Sequence, residues 1–247
     1  MDWWAIAAVG IAVGFLAGLF GKGGSAVATP ILHAVGVPAI MAVAAPLPAT
    51  IPSTLVAFLA YWRQHLVDRQ VLWWSVAVGV PATVVGALAT RWISGGTLVT
   101  ATDVVVALLG IRFLGWPDAP DEVARDTPGY RSRLVAVSAL VGVAAGLLAN
   151  SGGFLLAPLY LSVLRMPIKT AFASSLAVSA MLAVPGTVVH AALGHIDWTV
   201  VAVFGVASVP FSYLGAQVAV RSQSRHLERA YGAVLTLLGV GFLAFAR

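Results

Sequence analysis

Apolar runs of 18 or more residues recur along the whole chain, and each is close to the ~20 residues that cross a ~30 Å hydrocarbon layer as a helix. Backbone polar groups in lipid must be paired internally, so such runs fold only as spanning helices or as a closed barrel. Strict two-residue alternation is absent, which excludes the barrel. Composition agrees: 60% of the 247 residues are hydrophobic and 9% are charged, against about 25% charged in a soluble domain. The chain reads as an all-α polytopic membrane protein.

Trp3 to Phe20 has no basic residue before it and runs into further apolar sequence, so it is expected to be a retained helix and not a signal peptide. There are no cysteines, which excludes disulfides, thiolate metal sites and cysteine nucleophiles. The net charge of +5 does not point to nucleic acid, because the basic residues cluster in short loops.

Five apolar segments precede a polar stretch and five follow it. The first set covers about 3–20, 25–37, 39–62, 71–93 and 97–116, and the second 134–149, 153–165, 167–193, 196–220 and 226–246. Residues 117–133 between them read as a cytoplasmic linker, rich in Pro, Asp, Glu and Arg. That divides the chain into a first membrane repeat, 1–116, and a second, 134–247. Gly14, Gly18, Gly24 and Pro30 match Gly142, Gly146, Gly152 and Pro158 at an offset of 128. One inserted residue then pairs Pro38, Asp68, Pro81 and Gly86 with Pro167, Asp197, Pro210 and Gly215 at an offset of 129.

If each half crosses an odd number of times, Arg63, Arg69, Arg125, Arg131, Arg133, Arg165, Lys169, Arg221 and Arg225 share one side, leaving Arg91 and Arg247 on the other. The positive-inside rule favours that count, with the basic side cytoplasmic and both termini outside. Odd-numbered copies are inverted, as in many secondary transporters. The expected fold is two inverted repeats, each of three to four full transmembrane helices plus short broken or re-entrant helices. The segments near 25–37 and 153–165 are the short ones.

The strongest punctuation is Gly21-Lys22-Gly23-Gly24-Ser25, where Lys22 is the sole Lys or Arg in the first 60 residues. Glycines let the backbone leave the helix, and Ser25 reads as the start of the next one, whose free N–H groups favour an anion. The second copy, Asn150-Ser151-Gly152-Gly153, offers donors without charge. Under inversion the two breaks approach from opposite faces, and a small-anion site forms with Lys22 on one side. The alternative is a tight turn with Lys22 snorkelling to the headgroups.

The segments at 45–50 and 174–179 occupy matching places. Pro46, Pro48 and Pro52 are expected to forbid regular helix in the first, while Ser174, Ser175, Thr50 and Ser179 are candidate outer ligands. Asp68 and Asp197 look like helix caps. Asp103, His33 and His190 have no matching copy in the other half and are weak proton carriers, and no His, Asp or Glu spacing suits a metal. Ser151 with His190 or His195 loosely suggests an intramembrane serine protease, but Ser151 aligns with Gly23 as part of the repeat, so no catalytic residue is assigned.

The Gly14, Gly18, Gly21, Gly23, Gly24, Pro30 pattern, its echo from Gly142 to Pro158, the Ala-Ser-Ser-Leu-Ala run at 173–177 and the Gly-His-Ile-Asp turn at 194–197 resemble the sulfite exporter TauE/SafE family over nearly the whole chain. That resemblance implies an inner-membrane transporter of small sulfur-containing or organic anions such as sulfite, sulfonates and sulfoacetate. Pro46 departs from the hydroxyl expected there. The expected site is Lys22, Gly23, Gly24, Ser25, Asn150, Ser151, Gly152, Gly153, Ser174 and Ser175. Its partners are a small anion, the bilayer and protons as coupling ion, with self-association open and no cofactor. An anion channel is the alternative function.

Overall fold

Three aspartates start helices in the same way. Asp68 Oδ1 accepts from Gln70 N at 2.9 Å and Val71 N at 3.2 Å, and Asp197 Oδ1 accepts from Thr199 N at 2.9 Å and Val200 N at 3.2 Å. Asp2 caps the first helix through Trp4 N and Ala5 N. These side chains satisfy N–H groups that the first turn leaves without an acceptor. The matched pair, 129 residues apart, is the cap predicted from the repeat.

The computed structural model describes residues 2–21, 25–94, 97, 104, 129–149 and 151–245. Its helices are α1 (Trp3–Phe20), α2 (Ser25–Ala34), α3 (Ala39–Ala44), α4 (Pro46–Trp62) and α5 (Arg69–Ala89), the last followed by a 3-10 turn at Thr90–Trp92. The second half gives α6 (Tyr130–Leu147), α7 (Gly153–Ser162), α8 (Ile168–Ala192), α9 (Trp198–Arg221) and α10 (Ser224–Phe245). No strand occurs among the described residues. Among the described residues six stretches are long and apolar enough to span a membrane: α1, α3 with α4 (Ala39–Trp62), α5 with its 3-10 turn (Arg69–Trp92), α6, α8 and α9. α7 is a short apolar helix of 10 residues, about 15 Å long. α6 starts at Tyr130, inside the stretch expected to be linker; the rest of that stretch, 117–128, and nearly all of segment 97–116 lie outside the described residues.

The predicted irregular backbone at Pro46, Pro48 and Pro52 is not found. The break is confined to Ala45, between α3 and α4, and Pro46–Trp62 is continuous helix. Pro46 and Pro48 fall in the first turn, where a missing N–H costs no intrahelical bond. Only Pro52 lies inside the helix. In the second half α8 runs unbroken through the matching position, with Ser174 and Ser175 where α3–α4 has Ala45 and Pro46.

Packing links the halves. α1 lies on α9, with Gly14 against the Ser208 backbone, Gly18 against that of Ser212, and Gly215 against those of Phe15 and Leu19. α6 lies on α5 through the matching set: Gly142 on Gly79, Gly146 on Thr83, and Gly86 on Val143 and Leu147. A Cβ at Gly18 or Gly146 would collide with a carbonyl oxygen of the facing helix. Small residues that let backbones meet are how helices associate where lipid removes the hydrophobic drive.

These contacts also fix directions. Rising residue numbers meet rising numbers in α1–α9 and in α5–α6, so each pair is parallel. Ala49 lies by Gly205 and Ser53 by Ser208, so α4 runs with α9. By contrast, Leu47 at the start of α4 touches Gly186 late in α8, while Asp68, just beyond α4, bonds Ser174 early in α8. α4 and α8 are antiparallel. One face of the bundle therefore carries the starts of α1, α4 and α9 with the ends of α5, α6 and α8, and exposes Trp3, Trp4, Trp92 and Trp198. The opposite face exposes Trp62, Trp73 and Trp74 and gathers Arg63, Arg69, Arg131, Arg133, Arg165, Lys169, Arg221 and Arg225. Two tryptophan belts at opposite ends suit the two interfaces of a bilayer.

Gly18→Leu and Gly146→Leu are each expected to lose folded protein in detergent size-exclusion chromatography, since overpacking of about 1–3 kcal/mol or more acts at a backbone contact. Gly232→Ala, whose added Cβ meets nothing within 4 Å, is expected to keep wild-type yield. Asp197→Ala is expected to lower stability to heat by about 1 kcal/mol through its lost cap, read as a lower melting midpoint.

Candidate functional site

α1 stops at Gly21, which sits in the left-handed region (φ 63°) and returns its N–H to Ala17 O. Glycine is required there twice over. The conformation disfavours a side chain, and a Cβ would strike the Phe172 backbone of α8. The matching residue of the second half is Ala149, also left-handed (φ 43°), packed with Val43 and Ala44 at the α3–α4 break. Each half thus sets the end of its first helix against the third segment of the other half.

Two predicted site residues meet at the first break. Ser175 Oγ donates to Gly21 O and to Phe172 O, holding the residue just before Lys22 onto α8. Ser174 Oγ accepts from Asp68 N at 3.1 Å, tying the start of α5 to the same helix. Both serines are fully buried. Ser179 follows Ser175 by one turn, so the two share a face of α8. Its buried hydroxyl has no hydrogen-bond partner among the described residues. Leaving such a group unpaired costs about 1–3 kcal/mol. Lys22, Gly23, Gly24 and Asn150 lie outside the described residues; Ser25 opens α2 as expected.

The second break runs through Ser151, which is fully buried, and Gly152 (φ 72°), and α7 begins at Gly153. An added Cβ at Gly152 would meet Val141 and Ala145 of α6 and Leu182 of α8. Leu182 lies well inside α8 (Ile168–Ala192), so α7 starts deep in the bundle. Seven residues separate Ser175 from Leu182, about 10 Å along the helix. The two breaks therefore address α8 at different levels, with Ser179 between them.

One matched pair escaped the sequence reading. His190 was expected to have no copy, yet Tyr61 stands at the matching position and does the same work. Tyr61 Oη donates to Gly18 O at 3.2 Å, and His190 Nε2 donates to Gly146 O at 3.2 Å. The two carbonyls belong to matched glycines. The 129-residue offset contained this signal, but it pairs unlike residues. His190 Nδ1 meets His195 Nδ1 at 3.1 Å, so both its ring nitrogens are engaged and it forms no dyad with Ser151. His195, in the loop between spans, is held below the usual imidazole range by burial. His33 bonds Val37 O, locally; Asp103 lies outside the described residues. Among the described residues no cluster of His, Asp and Glu suits a metal.

The family model for the sulfite exporter TauE/SafE matches residues 6–242. A probable membrane transporter protein of Xylella fastidiosa strain 9a5c is 31% identical over 242 residues, covering 92% of this chain and 90% of the relative. Another from strain Temecula1 is 30% identical over the same coverage. The probable membrane transporter protein YjnA of Bacillus subtilis is 21% identical across 96% of this chain and 98% of its own. No solved structure matches. With a family match across almost its whole length, six candidate spans and full-length transporter relatives, this chain belongs to the sulfite exporter TauE/SafE family of membrane transporters.

Proposed function

We propose that the protein is a secondary transporter of a small anion, either sulfite, a sulfonate or a related organosulfur anion, working by alternating access between two inverted repeats. One observation carries this reading. α4 and α8, matched by the repeat, cross in opposite directions, and Gly21, at the head of the break, is bonded to α8 one turn from Ser179, a buried hydroxyl with no partner among the described residues. Irregular backbone at membrane depth is tolerated where it lines a cavity or lies in protein, and inverted halves with broken helices near the centre hold substrate between them in secondary transporters.

In this reading Lys22 supplies the charge. Gly23, Gly24, Ser25, Ser151, Gly152 and Gly153 supply backbone or hydroxyl donors, Asn150 its amide, Ser175 holds the first break on α8, and Ser174 ties the start of α5 to the same helix. Ser179 joins them as a buried donor with no partner among the described residues. The Lys- and Arg-rich face is cytoplasmic in the inner membrane by the positive-inside rule, with the termini outside.

Uptake of labelled sulfite or a sulfonate into proteoliposomes is expected to fall by more than about tenfold in Lys22→Ala, since removing one charged partner of a buried anion costs about 1.5–3 kcal/mol. Lys22→Arg is expected to retain part of it. Undiminished uptake by folded Lys22→Ala removes Lys22 from the site. Ser179→Ala is expected to raise KM several-fold while leaving the melting midpoint unchanged or higher, because an unpaired buried hydroxyl is lost. The absence of cysteines permits an orientation test. In intact cells a membrane-impermeant maleimide is expected to label Ser94→Cys and to miss Gln64→Cys; the reverse pattern inverts the topology.

A further inference from the structure

Between α1, α4 and α9 lies a small cavity whose polar lining is Thr50, Ser53, Thr54 and Ser208, with room for about one water molecule. All four residues are buried, and none of the described residues that line it is charged. Each hydroxyl has one proton and two lone pairs, and the protons are already committed. Thr50 Oγ1 donates to Pro46 O at 2.9 Å, Ser53 Oγ to Ala49 O, Thr54 Oγ1 to Thr50 O at 2.7 Å, and Ser208 Oγ to Gly205 O at 3.2 Å. What remains is oxygen lone pairs. Ser53 Oγ and Ser208 Oγ are themselves hydrogen-bonded to each other at 3.3 Å, which leaves no proton of the pair aimed into the cavity. A wall of acceptors with no spare donor disfavours an anion. It suits a positive charge.

The matching place in the second half is built differently. Thr50, Ser53, Thr54 and Ser208 correspond to Ser179, Leu182, Ala183 and Gly79. The Leu182 side chain fills that space against Gly79 and Gly152. The helix packing therefore does not demand a cavity; the first half keeps one and lines it with oxygen. Hard monovalent cations take hydroxyl and carbonyl oxygen ligands, and secondary transporters hold a coupling ion beside broken helices with such groups. The cavity wall includes Ala17, one turn before the Gly21 break.

We propose that this hydroxyl-lined cavity binds a small monovalent cation of sodium size. Its role as coupling ion rests on the transport reading above; the binding itself does not. The test uses the purified full chain, with its melting midpoint followed as NaCl replaces choline chloride at constant ionic strength. A ligand that binds only the folded state raises that midpoint by mass action. The wild type is expected to gain stability saturably with sodium and more weakly with potassium. Thr54→Ala is expected to shift the half-saturating sodium concentration upward by about tenfold, one ligand being lost. Ser53→Leu, which installs the second half's filling, is expected to abolish the response; should it fail to fold, Thr54→Ala carries the test. Equal midpoints in NaCl and choline chloride, or an unchanged sodium response in Thr54→Ala, overturn the site. Sodium stabilisation without anion uptake removes the transport reading and leaves the site. Anion uptake without any sodium response does the reverse.

Discussion

The close approach of backbones between the first helix of one half and the fourth helix of the other is the contact on which the rest depends. Lipid tails are as apolar as leucine, so helices gain little by hiding apolar side chains from them; they gain by packing and by hydrogen bonds. Gly14 and Gly18 let α1 settle onto Ser208 and Ser212, and Gly142 and Gly146 let α6 settle onto Gly79 and Thr83. Because every one of these contacts crosses between halves, neither half completes its own packing. The antiparallel crossing of α4 and α8 follows, since each is held between helices of both halves.

Onto this two-fold plan the sequence writes differences, and they concentrate around the breaks. Gly21 is needed because Phe172 lies against it, whereas Ala149 fits beside the smaller Val43 and Ala44. α8 is continuous and carries Ser174 and Ser175, while its partner segment breaks at Ala45 before Pro46. Lys22 has no copy, Asn150 standing at its place in the second half. Two halves that share a packing scheme but differ in local chemistry have what an alternating mechanism requires.

Most of the architecture was legible in the sequence because its signals are periodic or charged: apolar runs of spanning length, glycines and prolines at fixed offsets, and arginines that fall on one face. Asp68 and Asp197 were readable as caps because capping is local chemistry. Three things were not. Pro46 and Pro48 argued against helix only until their place in its first turn was known. The Tyr61–His190 match was hidden because function was kept while the residue changed. Ser175 was read as a ligand, yet it is bonded to Gly21 O, a partner 154 residues away in sequence that no local pattern announces. Whether a buried serine is spent on backbone carbonyls depends on what lies opposite it, and that is a property of the fold and not of the local sequence.

The same accounting of hydroxyl groups separates the two halves mechanically. Ser75 lies 2.7 Å from Tyr160 Oη and accepts from Ser138 at 3.1 Å, which joins α5, α6 and α7 by buried side-chain bonds. The matching residues are Phe204, Leu32 and Gly10, which pack α9, α2 and α1 without any such bond. Buried hydrogen bonds have fixed lengths and angles and are costly to leave unmade, whereas apolar contacts slide at small cost. α7 is therefore pinned to α5 and α6 by side-chain bonds at positions where the first half has Phe204, Leu32 and Gly10.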